Sequence, residues 1–100
     1  MTKTLEEIIE AIKKRKTVLE EKYKVKEIGI FGSYVRGEQT DKSDLDILVA
    51  FEGGARIGLL KFVNVENYLS DILGIKVDLV TKYALKPRIG QQILKEVSYL

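Results

Sequence analysis

Apolar residues recur at helical spacing from the start of the chain, where Leu5, Ile8, Ile9, Ile12, Leu19 and Tyr23 share one face. Thr4 and Glu7 have the spacing of a capping box, in which each side chain satisfies the other's free backbone N–H. The pattern predicts one amphipathic helix over residues 4–23. Val25–Phe31 alternates at first and then turns uniformly apolar at Ile28-Gly29-Ile30-Phe31, as a central strand does. Gly29 inside such a strand marks the close approach of another element. In Leu45–Phe51 the odd positions Leu45, Ile47, Val49 and Phe51 are apolar, while the even series runs Asp44, Asp46, Leu48, Ala50. That strand should be buried on both faces except at its start. From Gly58, residues Leu59, Phe62, Val63, Leu69, Ile72 and Leu73 lie along one face of a helix that stops at Gly74. Ile75–Val80 reads as a third strand, interrupted by Asp78. Pro87 suits the first turn of a last helix, running from Arg88 through Glu96, with Leu85, Ile89, Ile93 and Val97 at intervals of four. Val97–Leu100 either continues that helix or adds an edge strand.

The chain of 100 residues is expected to form a single domain, 1–100, with one core and no second lobe. An apolar fraction of 45% and a charged fraction of 32% are ordinary for a globular protein. No apolar run approaches the ~20 residues of a membrane span, and the charged segment Met1–Ile12 lacks the apolar stretch of a signal peptide. A cytoplasmic protein without a membrane partner is the expectation. Cysteine and histidine are both absent, which excludes thiolate nucleophiles, thiolate metal sites and the commonest general base. Acid–base or metal chemistry must therefore use Asp, Glu, Lys, Tyr or water. A net charge of +2 is too small to argue for a nucleic-acid substrate. The run Lys13-Lys14-Arg15-Lys16 meets an acidic partner or is simply the solvated face of its helix.

The chemistry concentrates between the first two strands, where Gly32-Ser33 opens a loop that ends at Asp44 and Asp46. Side chains at i and i+2 of a strand point to the same side, with Cα atoms roughly 6.5 Å apart, so these carboxylates share a neighbourhood. Magnesium takes oxygen ligands and is often held by one or two carboxylates plus substrate phosphates. Two such ions can clamp the attacking and leaving oxygens of a phosphoryl displacement. A Gly-Ser turn after a strand lets backbone approach a phosphate closely, with N–H groups and a hydroxyl to donate. A short helical turn near Ser33–Arg36 would face it. Ser43 is expected to cap the turn into the second strand.

Gly32-Ser33, ten intervening residues and Asp44-x-Asp46 together resemble the signature of the DNA polymerase beta-like nucleotidyltransferase superfamily. The local text Gly-Ser-Tyr-Val-Arg-Gly-Glu, then Ser-Asp-Leu-Asp-Ile-Leu-Val, is similar to its minimal nucleotidyltransferase (MNT) branch, commonly paired as antitoxin with a HEPN-domain toxin. The resemblance covers nearly the whole chain. It implies an α+β fold, a small mixed β-sheet packed by helices. It implies a Mg²⁺-dependent enzyme, with two ions, that transfers AMP from ATP to a hydroxyl. Asp44, Asp46 and Asp78 are then the metal-binding and catalytic residues, with Asp78, on a strand beside the first two, accepting the proton of the attacking hydroxyl. Gly32, Ser33 and Arg36 are the nucleotide-binding residues, although Arg36 is equally placed to contact a carboxylate such as Glu38.

Each residue also has a plainer role: Asp78 near a strand end can cap a turn, and Lys42, Lys61 and Lys82 are solvated lysines or phosphate contacts. Because the chain lacks a second lobe, the acceptor should arrive on another protein, by resemblance a tyrosine of a HEPN toxin. The alternative is a catalytically silent module that neutralises its partner by stoichiometric binding. Transfer to a small molecule such as an aminoglycoside belongs to larger relatives with an added domain. Oligomeric state, homo- or hetero-, stays open.

Overall fold

The computed structural model describes residues 4–53, 58–82 and 87–100, and for Pro87 and Ile89 the backbone alone. Helices α1 (Leu5–Lys14) and α2 (Lys16–Glu21) precede strand β1 (Val25–Phe31), the short helix α3 (Ser33–Arg36) and strand β2 (Leu45–Phe51). Helix α4 (Leu59–Leu73), strand β3 (Val77–Thr81), helix α5 (Pro87–Glu96) and strand β4 (Ser98–Tyr99) follow. The strands form one mixed sheet in the order β3-β2-β1-β4, so β2 and β1 are its central strands. β1 is antiparallel to β2 and β4, whereas β3 runs parallel to β2 after the α4 crossover. The expected α+β architecture is the one observed.

The capping box forms as predicted: Thr4 N–H donates to Glu7 Oε1 at 3.2 Å, and Glu7 N–H donates to Thr4 Oγ1 at 3.2 Å. The single helix expected over 4–23 is instead two, broken at Arg15, whose φ of −106° and ψ of 7° leave the helical region. Between Ile12 and Val18 no apolar side chain pins the backbone to the core, and four consecutive cations repel one another there. The break keeps both ends docked, with Ile8 and Ile12 of α1 and Leu19 of α2 fully buried.

One face of the sheet carries the main core. Ile28 and Ile30 of β1, Leu45, Ile47, Val49 and Phe51 of β2, and Val77 and Leu79 of β3 pack against α1, α2 and α4. Leu48 and Ala50 are buried on the opposite face, as the two-sided pattern of β2 requires. Helix α4 starts and stops where predicted, with Gly74 in the left-handed region at φ 65°. Its buried face differs: Leu59 is 78% exposed, and Val65, absent from the predicted face, is buried with Leu69 and Leu73. A 65/69/73 stripe is straight along the helix, and extending it backwards misses Leu59. The third strand begins at Val77, two residues later than expected, because Ile75 and Lys76 turn the chain out of the Gly74 cap; the Lys76 carbonyl already accepts from Leu45 N–H at 2.9 Å.

Both sheet edges are blunted. On β3, Val77 N–H donates to Ser70 Oγ at 3.1 Å and Leu79 N–H to Glu66 Oε2 at 3.0 Å, so α4 side chains occupy donors that could otherwise template another strand. On the other side β4 is only two residues long, and Val97–Leu100 is therefore an edge strand, not a continued helix. Gly29 explains its fit: a Cβ there would lie 2.6 Å from Val97 Cγ2 and 3.2 Å from the Ser98 carbonyl. Gly29→Ala should therefore push β4 off the sheet and cost about 1–3 kcal/mol in urea unfolding, the usual penalty of overpacking. Leu85, the side chain of Ile89 and the Gly54–Arg56 part of the predicted Glu52–Arg56 connection lie outside the described residues.

Candidate active site

β1 delivers the chain to Gly32 at the end of the sheet where β2 begins, since Phe31 pairs with Asp46. Gly32 has φ 79° and ψ −151°, a conformation open only to glycine, and from it Ser33–Arg36 form the short helix α3. Gly37, left-handed at φ 72°, ends that helix. The loop then closes through Thr40 N–H to Ser43 Oγ at 2.9 Å and Ser43 N–H to the Thr40 carbonyl at 3.0 Å, the capping role expected of Ser43.

Gly32 is packed on the carboxylate it was expected to accompany, for a Cβ there would stand 2.1 Å from Asp46 Oδ2. Across the sheet, the parallel register sets Asp46 directly beside Asp78. The side-by-side placement of these two carboxylates on neighbouring strands is as expected. Although it interrupts an apolar strand, Asp78 is not buried but exposed at the mouth of the site. Asp44 lies just ahead of β2, its Oδ2 4.0 Å from Lys76 Nζ.

Crowded negative charge marks the spot. Burial, then the charges of Asp78 and Asp44 and, after the opposing pull of Arg36, that of Glu96, push the Asp46 carboxyl from 3.8 up to about 6. Partial burial and the Asp41 and Asp44 charges likewise push the Tyr34 phenol up. Among the described residues no three acidic side chains are grouped as a ready-made metal site, so Asp44, Asp46 and Asp78 are not drawn together as three ligands. Magnesium does not need such a site: an oxygen-only donor set with an electron-rich, partly buried carboxylate fits an ion that completes its shell with waters and phosphates. A metal held by Asp46 would require the ionised carboxylate, so any Mg²⁺ or Mn²⁺ affinity at this site is expected to be about tenfold weaker at pH 5 than at pH 7.5, measured by calorimetric titration.

Arg36 is held on two sides. Its Nε donates to Glu38 Oε1 at 2.5 Å and its Nη1 to Glu96 Oε1 at 2.5 Å. Glu96, from the last turn of α5, also accepts the Gly32 N–H through Oε2 at 3.1 Å. The contribution of Gly32 is thus its conformation, and its amide is given to Glu96. Glu96 was missed from sequence. The available signal was that it is the one acidic residue after Asp78, set at a helix C-terminus where the dipole disfavours a carboxylate. Lys82 is committed to Glu27 at 3.2 Å and to the face of Tyr99 at 5.8 Å. A groove of about 510 Å³ along α1, lined by Thr4, Glu10, Lys14 and Ile72 among others, includes none of these residues.

The mixed sheet thus presents a glycine turn against carboxylates on adjacent parallel strands, the arrangement that the resemblance to nucleotidyltransferases implies. Residues 12–100 match the nucleotidyltransferase domain family, and the chain belongs to that family. It is 50% identical over 97 residues to the protein adenylyltransferase MntA of Thermococcus cleftensis, covering 97% of this chain and 96% of that protein. A solved structure described as a candidate minimal nucleotidyltransferase superposes with a TM-score of 0.78 at 36% identity, over 94% of each chain. A toxin–antitoxin structure with AMP-PNP superposes with a TM-score of 0.70 at 25% identity, over 86% of this chain and 69% of that one. The resemblance carried by Gly32-Ser33 and Asp44-x-Asp46 is borne out, and the protein is a nucleotidyltransferase.

Among the described residues, no helix is long and apolar enough to cross a membrane.

Proposed function

We propose that this chain transfers AMP from ATP to a tyrosine hydroxyl of a partner HEPN toxin and so acts as its antitoxin. The observation that carries this reading is the pairing of Asp46 with Asp78 in register, with the Gly32 turn pressed onto Asp46. The similarity to a protein adenylyltransferase over nearly the whole chain, and to a toxin–antitoxin structure holding an ATP analogue, supports the donor and the class of acceptor.

Asp44, Asp46 and Asp78 would hold Mg²⁺, which supplies positive charge against the triphosphate and acidifies the acceptor hydroxyl. Ser33 offers its hydroxyl and amide to the terminal phosphates, in a turn whose approach Gly32 permits. Arg36 faces the same phosphates from its carboxylate bracket. The acceptor oxygen bonds to the α-phosphorus, the bond to the β-phosphate oxygen breaks, and pyrophosphate leaves. The hydroxyl proton passes to Asp78, whose exposure at the mouth of the site leaves it open to an incoming side chain. Incubation with the cognate partner, ATP and Mg²⁺ should add AMP mass to the partner in intact-mass spectra. An unmodified partner, or undiminished labelling by an Asp44→Ala/Asp46→Ala variant, would contradict the proposal.

A further inference from the structure

We propose that Glu96 is a positioning residue of the nucleotide loop, a two-pronged carboxylate that fixes the Gly32 turn and Arg36 in the geometry in which Ser33 and Arg36 meet the triphosphate. This rests on the nucleotide-binding role proposed above. Glu96 Oε2 accepts the Gly32 N–H at 3.1 Å while Oε1 accepts Arg36 Nη1 at 2.5 Å. Glu38 holds the other edge of the guanidinium at 2.5 Å, so two carboxylates set its plane. A carboxylate in the last turn of a helix meets the negative end of the dipole. With its side chain only 24% exposed, Glu96 stands there because the Gly32 amide and Arg36 offset that cost.

The segment that delivers Glu96 is itself anchored. Val97 packs into the space kept open by Gly29, and β4 pairs with β1 through Gly29–Tyr99 and Ile30–Ser98. Leu100 N–H donates to the Ile28 carbonyl at 2.9 Å, and Lys16 Nζ donates to the Leu100 carbonyl at 3.2 Å. The C-terminal strap therefore carries a carboxylate from the far end of the sequence to the loop and holds it there. Since Gly32 lies against Asp46 Oδ2, the same grip keeps the turn seated on the metal-binding carboxylate. Glu96 acts through these groups.

A strut that merely supported the fold would change the amount of folded protein and leave the affinity of the folded fraction alone. Calorimetric titration of Mg²⁺ and AMP-PNP into wild type, Glu96→Ala and Glu96→Gln separates the cases, with circular dichroism to establish folding and AMP transfer run in parallel. Loss of one charge-assisted hydrogen-bond pair is expected to weaken AMP-PNP binding by Glu96→Ala about tenfold and to raise the KM for ATP alike, with kcat within about threefold. Glu96→Gln should fall between, since its amide oxygen can accept one of the two bonds. Unchanged or tighter AMP-PNP binding by folded Glu96→Ala overturns the proposal. If wild type binds AMP-PNP but transfers no AMP, the enzymatic reading fails while the binding contrast still decides the role of Glu96. If wild type binds no nucleotide, both fall.

Discussion

Asp46→Asn should lose about a thousandfold in AMP transfer and at the same time make the metal-free protein more stable at pH 8. The loss follows from removing the carboxylate that pairs with Asp78 and on which Gly32 rests. The gain follows from its raised pKa. With the folded value lifted from 3.8 to about 6, the native state binds the Asp46 proton more tightly than the unfolded chain does. Stability from this group is therefore greatest below about pH 3.8, declines between 3.8 and 6, and is absent above 6. At pH 8 the ionised carboxylate is a net cost, on the order of 1–2 kcal/mol once solvent screening of this half-exposed group is allowed for. For a domain of this size that corresponds to a rise of roughly 5–10 °C in Tm. The rise should shrink towards zero near pH 4, where wild type is protonated too. Mg²⁺ should raise the Tm of wild type at pH 8 and leave that of the variant nearly unmoved. Melting curves at the two pH values, with and without Mg²⁺, check all of this. A variant less stable than wild type at pH 8 would show that Asp46 is a structural residue.

Gly32→Ala is expected to be the most damaging one-methyl change in the chain. Its φ of 79° with ψ of −151° lies in a region essentially reserved for glycine and costs an L-residue about 1–3 kcal/mol, and the new methyl would meet Asp46 Oδ2 at 2.1 Å, a contact no real structure keeps. Either the carboxylate swings away or the turn lifts. Together these should destabilise by about 2–3 kcal/mol, and displacement of the site by about 1 Å should cut AMP transfer about a hundredfold in the fraction that folds. Gly37→Ala is the control for a methyl added at positive φ in open space, because it has φ 72° in the left-handed region and nothing within 4 Å of the added methyl. It should lose about 1 kcal/mol and keep its transfer rate. An equal loss of AMP transfer in both variants would mean that contact with Asp46 is not what makes Gly32 necessary.

The parts of this site that were legible in the sequence are those set by local rules. Strand parity pointed to Asp44 and Asp46 as neighbours, and although Asp44 lies ahead of β2 its charge does act on Asp46; Gly32-Ser33 was read from its position at a strand end, and Gly74 and the Thr4–Glu7 box from helix-terminus chemistry. The strand order was not legible in the periodicity, because the pairing of Asp46 with Asp78 depends on a crossover that no local window contains. Glu96 is the extreme case: its partner Gly32 lies 64 residues away, and its only mark was a carboxylate at an unfavourable helix end. The break at Arg15 and the exposure of Leu59 have a common cause. Helical spacing shows which residues could share a face, whereas packing decides which of them find a surface to cover.

Whether the proposed antitoxin acts by catalysis or by masking its partner turns on stoichiometry. The most direct measurement is neutralisation of the cognate HEPN toxin at a ratio of about one chain to twenty toxins, with ATP and Mg²⁺, followed by toxin activity and intact mass. Turnover at the Asp44, Asp46 and Asp78 site predicts that essentially all the toxin is silenced and carries AMP. Neutralisation that needs one chain per toxin, proceeds without ATP and survives Asp44→Ala/Asp46→Ala would contradict that account.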